Sequence, residues 1–445
     1  MAARGYPPGP RRSILSTLVY RPGRDPLAFF TDLARRYGDL VHVRMGNEHA
    51  FLVNDPQHIR EVLVTNQRNF KKGRALERSK RLLGEGLLTS EGATHLRHRR
   101  LLQPAFHKEA IASYGLVMTD YAARARDRWR DGQTIDVAQE MMRLTLAIVG
   151  KTLFDADVES QAPEVGAALS AVLESFWTLM LPFADLLERL PVPSLRRSRA
   201  ARARLDAIIY GMIAERRKSP GNRGDLLSML LETEDEDNGQ RLTDVEVRDE
   251  AMTLFLAGHE TTANALSWMW YLVGAAPEVE RRLHEEVDRV LAGRLPTDAD
   301  IPQLPYVEQV VAEAMRLYPP AWMIGRRVIA AQPLGDYILP ANALVLLSPY
   351  VTQRDARFFP EPERFRPERW TAEFKAALPP FAYFPFGGGS RRCIGEPFAW
   401  MELMLVASTI AARSRLAIVP GQRVVPKPLM TLRLEPRLLA TVHER

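Results

Sequence analysis

Cysteine is nearly absent from this chain: its 445 residues include only one, Cys393. A single cysteine excludes an internal disulfide framework, and it excludes zinc and iron–sulfur sites that need several thiolates. One thiolate can still be reactive or bind a metal where its surroundings stabilise the charge. We therefore expect an intracellular, cytoplasmic protein in which any sulfur chemistry belongs to Cys393.

Long apolar runs are missing as well. The most apolar stretches, at 14–20, 144–150 and 403–412, are far shorter than the roughly 20 residues that span a bilayer, and no signal peptide with a cleavage site is visible. The 60 basic and 54 acidic residues give a net charge of only +6, and they are spread along the chain. The sequence thus predicts no membrane span and no nucleic-acid partner.

The chain does contain a long series of helical segments. Apolar residues recur at helical spacing through most of 94–291. A long helix is predicted at 243–276, with Thr243 as its N-cap, and another at 305–317, where a buried stripe faces the core.

Strand patterns are fewer and shorter. Alternating or apolar runs predict strands at 40–45 and 50–53, joined by a hairpin turn at Gly46-Asn47, and further strands at 337–347 and 429–434. The stretch 71–91, which contains three glycines, is predicted to be mostly loop. The fold class is therefore mainly α with a smaller β part.

The single cysteine lies in a glycine-rich segment. Residues 386–395 read Phe-Gly-Gly-Gly-Ser-Arg-Arg-Cys-Ile-Gly, and a helical run follows at 396–413. Free backbone N–H groups and the positive end of a helix dipole stabilise a thiolate, and glycines leave room for a large flat group against the backbone. The alternative is an inert core cysteine, which is the usual role of a lone cysteine.

A polar motif interrupts the long helix at 257–262, where the sequence reads Ala-Gly-His-Glu-Thr-Thr. Ala257 and Thr261 are four residues apart and share one face, with Glu260 adjacent. A threonine hydroxyl can bond back to a carbonyl and bend a helix. One hypothesis is a bent helix crossing a cavity, where an acid and an alcohol deliver protons to a bound oxygen species. The alternative is a kinked core helix with a stray carboxylate.

Two pairs of charged residues lie at helical spacing. Glu313 and Arg316 are three apart, and most such pairs are surface salt bridges worth less than about 0.5 kcal/mol. His95 and Arg99 are four apart and share one face. They could bind the carboxylates of a cofactor through charge-assisted hydrogen bonds, and the alternative is an ordinary solvated basic face.

These four motifs, in this order, resemble those of a cytochrome P450, and the resemblance covers nearly the full length of the chain. The segment 386–395 is similar to the family's haem-thiolate loop, and 257–262 is similar to the oxygen-activation segment of its central helix. The resemblance implies the cytochrome P450 fold, with the long central helix crossing a haem b (iron protoporphyrin IX). It also implies a single catalytic domain at 25–445 that follows an N-terminal arm at 1–24.

The resemblance assigns a role to each matching residue. Cys393 would be the axial iron ligand, and the backbone N–H groups of Ile394 and Gly395 would tune its sulfur. Glu260 and Thr261 would relay protons to the bound dioxygen. The other residues expected to contact the haem are Phe386, Ala257 and four propionate partners, His95, Arg99, Arg326 and Arg391. The residues expected to form the family's structural Glu-Arg-Arg triad are Glu313, Arg316 and Arg364.

Two residues depart from the usual family pattern. Ser390 replaces a common proline, which would loosen the loop but leave the ligand in place. His95 stands where many members have tryptophan; both donate a hydrogen bond, so the propionate contact would be changed without being lost.

The implied activity is insertion of one oxygen atom from O2 into a hydrophobic substrate, such as a terpenoid, carotenoid, fatty-acyl or polyketide-like compound. The chain ends 52 residues after Cys393, so we expect electrons from a separate ferredoxin or flavodoxin-type protein with its reductase. The basic residues expected to dock that donor are Arg97, Arg100, Lys108 and Arg392. The residues expected to line the substrate pocket are Phe176, Ala257, Ile324 and Met430.

Two alternative functions remain open at this point. A peroxygenase would use peroxide directly, although the Glu260-Thr261 pair favours dioxygen. A haem sensor or other non-catalytic haem-binding protein would not need that pair.

Overall fold

The computed structural model describes residues 5–10, 25–156, 162–174, 192–218, 221, 225–234 and 239–445. The chain divides into two compact units. The first contains the described residues up to Glu77 together with Met315–Cys393, and the second contains the described residues of Arg78–Ala314 together with Ile394–Arg445. Within the described ranges, no helix combines the length and apolarity needed to cross a membrane.

A five-stranded sheet organises the first unit. Its strands, in spatial order, are Leu40–Met45, Glu48–Val53, Leu344–Leu347, Ile324–Val328 and Phe70–Lys72. All neighbours are antiparallel except Glu48–Val53 and Leu344–Leu347, which pair in parallel. Gly46 has a φ of 64° at the predicted hairpin turn, a conformation that suits glycine. A separate two-stranded ribbon consists of Gln332–Leu334 and Tyr337–Leu339.

The described helices of the first unit are mostly short. The longest is Pro26–Tyr37, which begins at Asp25, whose carboxylate accepts the Ala28 N–H at 3.0 Å. Gly38 ends this helix with a φ of 90°, as the sequence predicts. The others are Pro56–Arg60, its π-helical continuation Glu61–Thr65, Pro349–Thr352 and Ala372–Ala377.

Part of the predicted N-terminal arm lies against the hairpin. The Pro8 carbonyl accepts the His42 N–H at 2.9 Å, and the Tyr6 ring stacks on His42 with 4.4 Å between ring centroids. The rest of the arm lies outside the described residues.

The second unit is built on a 31-residue helix, Asp244–Gly274, which we call the central helix. Thr243 and Glu246 form a capping box at its start, with the Thr243 N–H donating to the Glu246 carboxylate at 2.8 Å. It packs against the helix Val137–Phe154, and the Phe154 and Phe255 rings stack at 4.3 Å. The long helix predicted from the sequence is therefore confirmed.

The remaining elements of the second unit are also mainly helical. The helices are Gly92–Leu102, Lys108–Asp127, Val137–Phe154, Ala162–Glu174, Pro193–Lys218, Leu226–Glu232, Pro277–Leu291 and Glu396–Ala411, and Pro305–Leu317 continues into the first unit. A three-stranded sheet contains Thr134–Asp136, Leu439–Glu444 and Ser414–Ile418, and a hairpin pairs Val425–Pro428 with Leu432–Glu435. The mainly α class with a smaller β part is confirmed.

One prediction is wrong in this part of the chain. The stretch 71–91, predicted to be mostly loop, contains the helix Arg74–Leu83. Its arginine, glutamate, lysine and leucine residues are good helix formers, and Gly84 follows the helix with a φ of 65°. The glycines therefore flank a helix instead of preventing one.

Candidate functional site

The loop around Cys393 is fixed by its own backbone and by the helical segment near residue 63. The Cys393 N–H donates to the Phe386 carbonyl at 3.0 Å, which closes the loop. Gly389 has a φ of 67°, and a Cβ there would lie 1.9 Å from the Leu63 carbonyl oxygen, so no other residue fits at this position. The Cys393 side chain is exposed, which excludes the alternative of an inert core cysteine.

Ser390 does not leave this loop loose. Its backbone N–H and its hydroxyl both donate to the Gln67 side-chain oxygen, at 2.9 and 2.7 Å. The hydroxyl thus supplies a tether where the family commonly has proline.

Ile324 and Arg326 lie on a strand of the same unit. A Cβ on Gly387 would lie 3.6 Å from Ile324 Cδ1, so this predicted pocket residue borders the cysteine loop. Arg326 is buried, and Arg391 in the cysteine loop is half-buried.

The central helix has a small open patch in its middle. From Val247 to Trp270 every residue is buried except Ala257, Gly258 and Thr261. The Thr261 hydroxyl donates to the Ala257 carbonyl at 2.6 Å, which is the predicted back-bond. Ala257 and Thr261 share this open face, whereas a Cβ on Gly258 would lie 3.0 Å from Val149 Cγ2, so Gly258 packs towards the neighbouring helix.

Glu260, beside the open patch, is fully buried and firmly held. Its Oε1 accepts the Thr431 hydroxyl at 2.6 Å and the Arg433 Nε–H at 2.7 Å. It is therefore not a stray carboxylate. Sequence reasoning identified Glu260 but not its two partners. The only signal was Thr431 and Arg433, two apart and thus on one face of the predicted strand.

His259 is fully buried in the same turn. Burial lowers its pKa, more than the nearby Glu260 charge raises it. Its Nδ1 lies 2.8 Å from the Phe255 carbonyl, so the neutral ring donates there and takes no part in the open patch.

His95 and Arg99 lie on one face of the helix Gly92–Leu102, as predicted. His95 is buried and Arg99 is half-buried, which argues against an ordinary solvated face. Arg97, predicted to help dock an electron donor, forms a salt bridge with Glu246 at 2.7 Å. Its charge is thus partly neutralised within the second unit.

A buried His98–Glu250 pair was missed by the sequence analysis. His98 Nδ1 lies 2.6 Å from Glu250 Oε1, and Glu250 Oε2 accepts the Leu87 N–H at 3.0 Å. Burial lowers the pKa of His98, but the Glu250 hydrogen bond and charge outweigh this and raise it overall. The pair joins the central helix to the helix Gly92–Leu102 and to the segment before it.

The predicted structural triad needs one correction. Glu313 and Arg316 are fully buried, which excludes a surface salt bridge. Arg316 donates to three carbonyl oxygens, those of Gln353 at 2.8 Å, Pro362 at 2.7 Å and Arg364 at 3.2 Å.

The Arg364 side chain is not part of this buried network. It is 68% exposed and pairs with Glu361 at 3.0 Å. Arg369 is buried instead and donates to the Pro360 and Arg364 carbonyls, at 2.7 and 3.3 Å. The assignment of Arg364 is therefore wrong, and Arg369 is the arginine that shares a carbonyl with Arg316.

For two of the predicted pocket residues, the described part of the structure shows no contact that bears on substrate binding. Met430 is half-buried between the strands of the C-terminal hairpin. Phe176 lies outside the described residues.

Glu402 is a further buried acid, nine residues after Cys393 on the helix Glu396–Ala411. Burial raises its pKa well above the ordinary value, and neither of its carboxylate oxygens has a hydrogen-bond partner among the described residues. Burial therefore favours the neutral form of Glu402 in the folded protein.

Replacing Glu402 with glutamine should change the pH dependence of stability. The pKa of Glu402 is higher in the folded state than in the unfolded state. Its contribution to the free energy of unfolding is therefore fully present below the unfolded pKa and is lost as the pH rises towards the folded pKa. Wild type should thus lose stability relative to Glu402→Gln by up to about 1.4 kcal/mol per pH unit above roughly pH 4.5. Urea unfolding of both proteins at several pH values measures this, and parallel curves would contradict it.

Comparison with known proteins shows that the chain is similar to members of one family. The family model described as Cytochrome P450 matches residues 7–441. The chain is 41% identical to the cyclooctat-9-en-7-ol 5-monooxygenase of Streptomyces melanosporofaciens, over 89% of this chain and 86% of that protein. It is 37% identical to the pentalenene oxygenase of Streptomyces avermitilis, over 94% of this chain and 93% of that protein.

Solved structures agree with the sequence matches. The crystal structure of the heme domain of cytochrome P450DA superposes with a TM-score of 0.88 and 28% identity, covering 99% of this chain and 98% of that one. The predicted fold is confirmed at the level of the whole chain.

Proposed function

This chain belongs to the cytochrome P450 family, and on that premise we propose that it hydroxylates a polycyclic terpenoid. Its general activity is that of a P450 monooxygenase, which uses O2, a redox partner and a hydrophobic substrate. The family implies a haem cofactor, and we take the form to be haem b. The single catalytic domain at 25–445 and the cytoplasmic location stay predictions.

The residues of each unit fit a haem. In the first unit, an exposed thiol lies on a loop that glycines hold close to the neighbouring backbone, and a thiolate is a suitable axial ligand. In the second unit, Ala257, Gly258 and Thr261 open an otherwise buried helix. Cys393 would ligate the iron, Phe386 would pack beside the ligand, and Ile394 and Gly395 would donate N–H groups to its sulfur. The residues that would bind the propionates are His95, Arg99, Arg326 and Arg391.

When bound, the haem supplies the oxygen-splitting chemistry, and the protein positions substrate and protons. Glu260 would hold a proton at its carboxylate and pass it to the Thr261 hydroxyl. That hydroxyl donates to the Ala257 carbonyl but keeps two acceptor lone pairs, so it can receive a proton as it gives one up. This acid–alcohol pair favours dioxygen over peroxide as the oxidant.

The substrate class rests on the two named relatives. One is named for cyclooctat-9-en-7-ol and the other for pentalenene, and both match this chain along most of their length. The half-buried residues predicted to line the pocket, Ala257, Ile324 and Met430, are uncharged. A compact, neutral hydrocarbon skeleton suits such walls better than a fatty acid, whose carboxylate would need a charged partner.

The substrate proposal can be tested with a panel of four compounds. The purified holoenzyme is supplied with NADPH, a surrogate ferredoxin and its reductase, and then with cyclooctat-9-en-7-ol, pentalenene, palmitic acid or β-carotene. We expect oxygenated product from at least one of the first two compounds. Product from palmitic acid or β-carotene alone would contradict the terpenoid proposal while leaving the monooxygenase activity intact.

The electron donor is proposed to be a ferredoxin or a flavodoxin-type protein. The two donor types are compared with the same holoenzyme and substrate. The same assay run with hydrogen peroxide and without a donor addresses the peroxygenase alternative, because equal rates would favour direct use of peroxide.

A further inference from the structure

Glu260 is held from one side by the C-terminal hairpin. Its Oε1 receives both the Thr431 hydroxyl at 2.6 Å and the Arg433 Nε–H at 2.7 Å. Thr431 in turn accepts the Asn264 side-chain amide at 3.2 Å, and Asn264 lies one turn after Glu260 on the central helix. These bonds form a buried chain from Asn264 through Thr431 to the carboxylate, with Arg433 joining at the same oxygen.

The second carboxylate oxygen is left without a partner. Among the described residues, none donates a hydrogen bond to Glu260 Oε2, although that atom is buried. Leaving a buried acceptor unsatisfied costs about 1–3 kcal/mol. The two oxygens of this carboxylate thus differ: Oε1 accepts two hydrogen bonds, and the buried Oε2 accepts none from the described residues.

Arg433 connects this buried acid to the surface. Its side chain is 16% exposed, whereas that of Glu260 is 2% exposed. The charge-assisted bond from Arg433 is stronger than a neutral one, and with the Thr431 bond it fixes the carboxylate in one orientation. Oε1 already accepts two donors, so Oε2 is the oxygen with free lone pairs.

We propose that Thr431 and Arg433 are positioning residues of the proton relay: they hold Glu260 through Oε1, so that protons are taken up and released at Oε2. This inference rests on the proposed role of Glu260 in oxygenation. In this proposal both residues act through the Glu260 carboxylate, to which they bond directly.

A purely structural role is the competing explanation. An arginine–glutamate bond can serve only to hold a hairpin against a helix. A second hydrogen bond already joins this hairpin to the central helix, since Trp268 Nε1–H donates to the Leu432 carbonyl at 3.0 Å. Loss of a purely structural bond would alter stability and the carboxylate band but leave the yield of product unchanged. Loss of a positioning bond must also lower the yield of product.

The test uses Thr431→Val, which keeps the side-chain shape and removes the hydroxyl, and Arg433→Gln. Arg415→Gln is a matched control, because Arg415 Nε bonds a helical glutamate, Glu280, at 3.0 Å away from this cluster. The conservative variants Thr431→Ser and Arg433→Lys test for rescue, and Thr431→Ala and Arg433→Met replace the first pair if either of those does not fold.

The first readout is the infrared carboxylate band of Glu260 in the resting holoenzyme, assigned as the band that Glu260→Gln removes. It requires no substrate and no turnover. The second is product formed per NADPH consumed, with whichever terpene of the panel the wild type oxygenates. We expect both test variants to shift the band and to lower the yield about tenfold, less than the roughly 10²–10⁴-fold that a positioned acid or base itself contributes, while Thr431→Ser and Arg415→Gln stay near wild type.

The outcomes separate the two proposals. An unshifted band in both test variants overturns the positioning role, and so does a shifted band with unchanged yield, or a lowered yield with an unshifted band. If Glu260→Gln itself leaves the yield unchanged, the role of Glu260 in the proposed function is wrong instead. If no terpene is oxygenated, the substrate proposal fails, and the yield is then measured with the panel compound that the wild type does oxygenate.

Discussion

Replacing Glu260 with glutamine should lower product formation per NADPH about 100-fold, which lies in the range contributed by a positioned general acid or base. Glutamine keeps the size of the side chain but cannot carry the proton. Thr261→Val should cause a similar loss, because it removes the hydroxyl that would receive that proton. NADPH consumption should continue and end in hydrogen peroxide or water, so measuring product, peroxide and NADPH together checks the prediction.

The neighbouring threonine provides a matched control. Thr262 is buried, and its hydroxyl donates to the Gly258 carbonyl at 3.2 Å. The Thr261 hydroxyl makes the equivalent bond to the Ala257 carbonyl. Thr262→Val should therefore keep most of the product yield. Equal losses at both threonines would show that the helix, and not the hydroxyl at the open patch, determines the yield.

Arg316→Ala should destabilise the protein by about 3 kcal/mol or more, the usual cost of breaking a buried charged network. Its guanidinium donates to three carbonyls, and alanine would remove that donor from the Gln353 and Pro362 carbonyls, while the Arg364 carbonyl keeps its bond from Arg369. Arg369→Ala should also be destabilising, because Arg369 is buried and donates to the Pro360 carbonyl at 2.7 Å. Haem content after purification and the urea midpoint measure both effects.

Arg364→Ala is the control for this pair of arginines. The Arg364 side chain is 68% exposed and forms only a surface pair with Glu361, so its loss should leave the urea midpoint and the haem content unchanged. A large loss of stability at Arg364, with little at Arg369, would contradict the corrected assignment.

This correction shows where local sequence stops being informative. The motif Pro-Glu-Arg-aromatic occurs twice, at 362–365 and at 367–370, and nothing in the spacing says which arginine is buried. Packing decides it: Pro367, Arg369 and Trp370 are buried, whereas Glu363 and Arg364 are exposed.

The features that sequence predicts well are local ones. The glycine-rich loop before Cys393, the capped central helix and the hairpin at Gly46 each depend on residues a few positions apart. Turn glycines and helix caps act over that range, so the sequence is enough to identify them.

The partners of Glu260 could not be predicted in the same way. Thr431 is 171 residues away in the chain and Arg433 is 173 residues away, and only the tertiary fold brings them to the carboxylate. The burial of Glu402 has the same origin, since its neutral state depends on what packs around it and not on its neighbours in sequence.

The central claim is that Cys393 is the thiolate ligand of a haem. The most direct measurement is the absorption spectrum of the reduced holoenzyme with carbon monoxide, for wild type and for Cys393→Ser. Thiolate ligation predicts the strongly red-shifted Soret band that gives the family its name, present in wild type and lost in the variant. A wild-type spectrum like that of a histidine-ligated haem, or a red-shifted band that survives Cys393→Ser, would contradict the account.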